Sequence, residues 1–335
     1  MTNVPDTAVD PAAPVATENA LVRRGRVLSG RWRSAGIVLP FAVLFVVLSV
    51  TSGPFLTRDN LLNILDQQAA ILIMAAAGTL VLVGGAIDLS VGATYGLAGV
   101  VAAQLVPSTG IPVALLAALL VGLVVGLVNG VVTTYFRINA LIATLAMSFI
   151  IGGAASLVTN GNLLVLTQWP DFANVARSAF LGVRSSIWIA VVCVVAFGLL
   201  LSRTTSGRYL YAIGGNAEAA RLAGVRLNRV RIAAFMTSGA AAAIAGVIDV
   251  SRVLSAQSTS GDALTFTVLA GMVVGGTSIM GGEGAVWRST VGVLFIALVG
   301  NGFNLLGVNP LYQQIALGLI LLLVVGADAL SRVRR

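Results

Sequence analysis

The chain has 335 residues, of which 58% are hydrophobic and only 10% are charged, and its formal net charge at pH 7 is +8. A soluble globular protein carries roughly 25% charged residues, so this composition excludes an ordinary soluble domain. The apolar residues form runs of roughly 15 to 26 residues separated by short polar breaks, which is typical of transmembrane helices. The sequence therefore predicts an all-α, polytopic bundle of about 8–10 membrane spans that includes short or discontinuous helices.

Missing residue types exclude several functions. All 20 basic residues are arginine, and the chain has neither histidine nor lysine. The P-loop of an ATPase needs a lysine to reach the nucleotide phosphates, and histidine is the commonest proton relay and metal ligand. Cys193 stands alone inside an apolar run, so there is no disulfide framework. We expect no catalytic residue, no metal site and no cofactor in this chain.

In chain order, residues 1–34 are predicted to form a disordered tail that is rich in Pro and Ala and ends in five arginines. Residues 35–330 are predicted to form one membrane domain with two Gly-rich breaks, and residues 331–335 a basic tail. The domain contains ten apolar runs, which are Ala35–Val50, Ala69–Val83, Leu89–Val106, Ile111–Phe136, Ile138–Val158, Ser185–Leu201, Ile232–Ile248, Ala263–Met280, Ser289–Leu306 and Leu311–Ala327.

The arginines orient this domain. Loops on the cytoplasmic side of a membrane protein carry an excess of basic residues. When ten spans are threaded from a cytoplasmic N-terminus, only four arginines fall outside, namely Arg58, Arg177, Arg184 and Arg252. This bias predicts that both tails and the polar segment 202–231 lie in the cytoplasm.

The segment YAIGGNAEAARLAGVR, residues 211–226, carries the signals of a short helix. Asn216 is a good N-cap, Glu218 lies in the first turn where it favours the helix dipole, and Gly224 is placed to end the helix. Arg221 lies one turn after Glu218. A helix of about seven residues is not stable alone in water, and a helix at the lipid interface would need bulkier apolar residues. Its small residues favour docking into a protein cleft.

Glu218, Ala219 and Ala220 followed by Gly224 match the E-A-A-x-x-x-G core of ABC-importer permeases, although the Leu-Pro pair of the longer motif is absent. The stretches GGAIDLSVG, NAEAARLAGV, SAQSTSG, VVGGTSIMGGEGAVWRSTVG and NGFNLLGVNPLYQQ follow in that order. Together they resemble permeases of the ribose-type sugar ABC importers, which include ribose, xylose, arabinose and galactoside systems. The resemblance covers residues from about 55 to 328.

This resemblance implies a permease subunit of an ATP-driven importer in the bacterial inner membrane, with no catalysis of its own. The implied partners are a second permease copy, identical or different, two ATP-binding subunits, an extracytoplasmic sugar-binding protein and the lipid itself. Residues 202–231 would form the docking loop for the ATPase. Its coupling helix would comprise Asn216, Glu218, Ala219, Ala220, Arg221 and Gly224.

Asp88 is the strongest candidate for a special carboxylate, because it lies in a Gly-flanked break between two apolar runs. Two interpretations remain open. The carboxylate caps the helix that begins near Leu89, or it takes part in gating or in the solute path. An alternative function uses Asp88 and Asp249 as the coupling sites of an ion-driven secondary transporter of a small polar solute.

Amide side chains at span ends are the other candidates. Amides can bind sugar hydroxyls, and in membranes they also hydrogen-bond neighbouring helices together. The candidates for the path or its gate are Asn129, Asn139, Asn301 and Asn304. Gln257 and Asp262 are predicted to face the outside, where they would contact the binding protein or belong to a solvated loop.

Overall fold

The computed structural model describes residues 36–309 and, beyond them, residues 311–313, 315–316, 318–319, 322 and 326. The predicted tails, residues 1–34 and 331–335, lie outside the described residues, as does part of the run Leu311–Ala327. The helices are α1 (Val38–Thr51), α2 (Arg58–Val83), α3 (Val91–Thr109), α4 (Ile111–Thr134), α5 (Ala140–Thr159), α6 (Asn174–Arg177), α7 (Ser185–Arg203), α8 (Thr205–Gly215), α9 (Ala217–Leu222), α10 (Leu227–Val253), α11 (Leu264–Val274) and α12 (Val286–Leu305).

The long helices form a membrane bundle. Seven helices of the described residues, α2, α3, α4, α5, α7, α10 and α12, are long and apolar enough to cross a membrane. Two shorter apolar helices, α1 and α11, belong to the same bundle. The predicted all-α, polytopic class with short helices is confirmed.

Several predicted boundaries were wrong. The run Ala69–Val83 is only the buried half of α2, which begins at Arg58. The run Ile232–Ile248 likewise lies inside the longer α10. In both cases polar residues extend the helix beyond its apolar stretch. The run Ala263–Met280 was predicted too long, because α11 ends at Val274 and a Gly-rich loop follows.

α10 lies at the centre of the bundle and packs against α2, α3 and α4. Its middle is rich in alanine, and Ala241, Ala242 and Ala243 are fully buried. Small side chains let neighbouring backbones approach closely, which replaces the hydrophobic drive that lipid does not supply between helices. The core is therefore built from close helix contacts.

One end of the bundle carries short strands, and we call it the strand end (residues 160–184 and 254–256). There β1 (Leu164–Val165) pairs antiparallel with β4 (Ser255–Ala256), and β2 (Ala179–Phe180) pairs with β3 (Val183–Arg184). Arg184 forms an ion pair of 2.5 Å with Asp66 of α2, whose side chain is only 3% exposed. This pair fastens the strand end to α2.

The four arginines that were predicted to lie outside belong to the strand end or contact it. The guanidinium of Arg58 donates to the carbonyl oxygen of Gly182 at 3.2 Å. Arg177 donates to the carbonyl oxygen of Arg252 at 2.9 Å.

We call the opposite end the α9 end (residues 204–226). The predicted loop 202–231 is mostly helical there, because it contains α8 and α9 and the ends of α7 and α10. Leu210 of α8 lies in the same buried cluster as Val83 of α2 and Leu201 of α7. The hydroxyl of Tyr211 donates to the carbonyl oxygen of Gly284 at 2.7 Å. These contacts place α8 against the ends of the spanning helices.

Candidate functional site

The helix predicted after Asn216 is present as α9. The Asn216 side-chain oxygen accepts from the backbone N–H of Ala219 at 2.9 Å, which caps the N-terminus. At the other end, the backbone N–H of Val225 donates to the carbonyl oxygen of Ala220 at 3.1 Å. Gly224 has a φ of +82°, as a helix that stops in the left-handed conformation requires. Local signals in the sequence thus fix both ends of α9.

One face of α9 packs against α8 and α10, and the opposite face is exposed. Ala220 is buried, whereas Ala219 and Leu222 are exposed. Arg221 and Glu218 form an ion pair of 2.5 Å and are 61% and 66% exposed. The hydrogen bond from Arg221 lowers the pKa of Glu218 below its ordinary value. The outer face of α9 therefore combines small apolar residues with one carboxylate and one guanidinium.

Asp88 lies in a compact polar junction where α3 begins. One carboxylate oxygen of Asp88 accepts from the backbone N–H of Ser90 at 3.0 Å and from its hydroxyl at 2.7 Å. The other oxygen accepts from the hydroxyl of Ser238 on α10 at 2.8 Å. Asn129 of α4 is buried and donates to the Ser90 hydroxyl at 2.7 Å, while its amide oxygen has no partner within the described residues. The junction joins three helices, α3, α4 and α10.

The start of α3 also meets the start of α11. A Cβ atom on Gly261 would lie 1.8 Å from the carbonyl oxygen of Gly92, so these two backbones touch. The backbone N–H of Gly92 donates to the hydroxyl of Thr265 at 3.1 Å. Both helices follow a non-helical segment, and such segments are tolerated in a membrane domain only when protein buries them or a cavity hydrates them.

Asn301 and Asn304 of α12 line a cavity of about 380 Å³ between α12 and α2. Asn301 and Asn60 form a reciprocal amide pair, in which Asn301 donates to Asn60 at 2.8 Å and Asn60 donates to Asn301 at 3.3 Å. Sequence analysis missed the amides that α2 contributes, Asn60, Asn63, Gln67 and Gln68. The first three of these amides recur at intervals of three and four residues, and this helical spacing could have indicated that they share one face.

The remaining candidates lie apart from both sites. Asn139 is exposed and caps α5 by accepting from the backbone N–H of Leu141 at 2.9 Å. Gln257 follows β4 at the strand end and is exposed. Asp262 is exposed and lines a pocket beside α5. It directly follows Gly261, whose backbone touches that of Gly92. The structure brings Asp88 and Asn129 together, and Asn301 and Asn304 together, but these pairs belong to different sites.

Asp249, the second carboxylate of the ion-coupled alternative, is already paired. It accepts from the hydroxyl of Tyr95 at 2.5 Å and from Arg252 at 2.5 Å. Asp249 and Asp66 therefore each have an arginine partner, Arg252 and Arg184. Within the described part of the chain, no group of three His, Cys, Asp or Glu side chains comes together to hold a metal ion.

The fold and these sites define a multi-pass helical membrane protein with a short helix displayed at one end. Residues 60–325 match the family described as the permease component of branched-chain amino acid transport systems. The chain belongs to this family of ABC transporter permeases.

Several relatives that match most of the chain are sugar permeases. The ribose import permease protein RbsC of Escherichia coli K12 is 38% identical over 87% of this chain and 92% of its own. The L-arabinose permease AraH of Azospirillum brasilense is 36% identical over 98% of both chains. The L-arabinose permease AraH of E. coli K12 is 39% identical over 89% of this chain and 90% of its own. The comparison with solved structures gave no significant match.

Proposed function

We propose that this chain is the membrane-spanning permease subunit of an ATP-driven, binding-protein-dependent importer of a monosaccharide. Membership in the ABC permease family and the names of the sugar relatives support this function. Neither the family nor the names of the relatives support the ion-coupled alternative. Its two carboxylates, Asp88 and Asp249, already accept hydrogen bonds from other side chains of the protein. ATP hydrolysis then belongs to separate ATP-binding subunits.

The observation that carries the proposal is the open outer face of α9. Glu218, Ala219, Arg221 and Leu222 are exposed although the helix is capped and held at both ends. A six-residue helix with an apolar and charged outer face suits a cleft in a cytoplasmic partner. α8 joins α9 to the buried end of α2, so a movement of α9 reaches a spanning helix.

We assign the α9 end to the cytoplasm and the strand end to the outside, following the arginine bias. Both tails, residues 1–34 and 331–335, then lie in the cytoplasm, and residues 35–330 form the permease domain of a bacterial inner-membrane importer. Two permease copies, two ATP-binding subunits and an extracytoplasmic sugar-binding protein complete the assembly. Gln257 and Asp262 are proposed contacts of the binding protein.

Charge reversal on α9 tests this function. Glu218→Arg replaces the exposed carboxylate by a cation beside Arg221, so we expect the ATP-binding subunit to dissociate or to lose its coupling to transport. The measurement is co-purification of the ATP-binding subunit with the permease, followed by ATP-dependent uptake of ribose and L-arabinose into proteoliposomes. Membrane insertion of the variant is expected to be unchanged.

The swapped variant Glu218→Arg/Arg221→Glu is the matched control, because it keeps the ion pair within α9 but exchanges the two charges. We expect this control to remain folded and still to fail in coupling. Normal assembly and uptake by Glu218→Arg would contradict the docking role of α9.

A further inference from the structure

The cavity between α2 and α12 is lined by an unusual number of amides for an apolar domain. Asn60, Asn63, Gln67 and Gln68 follow one another on a single face of α2. Asn301 and Asn304 of α12 face them, and Gln313 completes the set. We call this cavity the amide groove. It begins near the strand end and reaches Ile71, about 16 Å along α2.

Only part of this amide set has hydrogen-bond partners among the described residues. Asn60 donates to the carbonyl oxygen of Phe55 at 2.9 Å and pairs with Asn301. No side-chain hydrogen bond joins Asn63, Gln67, Gln68 or Asn304 to any other described residue. Amides without partners are strongly disfavoured in hydrocarbon. The groove therefore holds water or a polar ligand and is not a lipid-facing surface.

The described lining of the groove carries no charged side chain. Its polar side chains are amides and the hydroxyl of Thr267, and its remaining lining is aliphatic or glycine. An amino acid is a zwitterion, which needs opposite charges or helix termini to replace its hydration. A neutral polyhydroxy compound needs groups that both donate and accept hydrogen bonds, and each amide offers both. The volume of about 380 Å³ lies in the range of small-molecule sites.

We propose that the amide groove binds a neutral monosaccharide and forms the outer part of its path across the membrane. This inference rests on the proposed import function and names residues of α2 that the motifs do not mark. Asn63, Gln67, Gln68 and Asn304 bind sugar hydroxyls, while the pair Asn60–Asn301 holds α2 and α12 at a fixed separation. Uncharged donors and acceptors bind a sugar weakly enough to release it.

Uptake by the complete importer tests this path. Gln67→Leu and Asn63→Leu remove the hydrogen-bonding groups and keep a branched side chain at each position, so we expect at least tenfold slower uptake of ribose or L-arabinose into proteoliposomes. Gln67→Asn keeps an amide and is expected to retain most of the uptake. Asn162→Leu removes an exposed amide outside the groove and should behave as the wild type. Co-purification with the ATP-binding subunit verifies that each variant assembles.

Thiol labelling locates the groove without depending on transport. Cys193 is the only cysteine, so Cys193→Ala provides a clean background. We expect Gln67→Cys to react from the strand-end side with a charged, membrane-impermeant thiol reagent. Leu120→Cys, which replaces a 51% exposed leucine in the middle of α4, should not react.

The outcomes separate the two hypotheses. If the wild-type importer takes up no sugar, the proposed import function fails, and labelling still reports whether the groove is aqueous. If sugar uptake is normal in both leucine variants, the groove inference is wrong and the import function stands. Failure of Gln67→Cys to react with the reagent would also overturn the inference, because the groove would then not be open to water.

Discussion

The Asp88 junction and the amide groove both gather polar side chains within the membrane domain, but they differ in how these side chains are paired. In the junction, each carboxylate oxygen of Asp88 accepts from protein donors, and the bonds join α3 to α10. The groove lies in the same apolar domain, but four of its amides have no side-chain partner among the described residues. These four are Asn63, Gln67, Gln68 and Asn304.

This difference separates polar groups that hold the fold from polar groups that can bind a solute. A buried polar group that is paired inside the protein stabilises one arrangement of helices. An unpaired group in a cavity has hydrogen-bonding capacity left for water or a ligand. We therefore propose a path role for the groove and a structural role for Asp88. Asn129 shares this structural role through the bond from its amide nitrogen to the Ser90 hydroxyl. We assign a structural role to Asn139 as well, because its side chain caps α5.

The largest loss of folding stability is expected when Asp88 is replaced by an apolar residue. Asp88→Leu leaves the N–H and hydroxyl of Ser90 and the hydroxyl of Ser238 without their acceptor, so it should destabilise the folded state by about 3 kcal/mol. The fraction of folded protein after size-exclusion chromatography, followed along a denaturant titration, measures this loss. A fully stable Asp88→Leu protein would show that the junction does not hold the helices.

A smaller loss of folding stability is expected from Asp88→Asn. The amide keeps one acceptor oxygen for Ser90, and the Ser238 hydroxyl can accept from the amide NH₂ as well as donate. We expect a loss of about 1 kcal/mol and much of the sugar uptake to remain. Complete loss of uptake by well-folded Asp88→Asn protein would instead assign Asp88 to the path or its gate.

The smallest effect on stability is expected in the groove. Asn63 is exposed and its side chain has no partner among the described residues, so Asn63→Leu should change the free energy of unfolding by no more than about 0.5 kcal/mol. The same denaturant titration measures this change, with Asp88→Leu as the reference for a structural residue. A destabilisation comparable to that of Asp88→Leu would show that the groove amides hold the bundle together and would remove the contrast.

Sequence reasoning succeeded where the physical signal is local. The ends of α9 follow from Asn216 and Gly224 alone, because an N-cap and a left-handed residue act within one turn. The membrane class follows from the apolar runs. α8 was missed because its sequence contains three glycines, and it packs through Leu210 in a buried cluster shared with α2 and α7.

Sequence reasoning failed where distant segments meet. The amide groove depends on contacts between α2 and α12, and its pair Asn60–Asn301 joins residues that are 241 positions apart. The predicted span beginning at Ala69 excluded the polar half of α2 that carries these amides. The contact between Gly92 and Gly261 is likewise invisible in either segment alone.

The most direct test of the central claim is ATP-driven uptake by the complete importer in proteoliposomes, measured side by side with labelled ribose, L-arabinose and leucine. The account predicts uptake of at least one of the two sugars, none of leucine, and no uptake when the ATP-binding subunits are left out. Accumulation of leucine without either sugar, or sugar uptake that continues without the ATP-binding subunits, would contradict it.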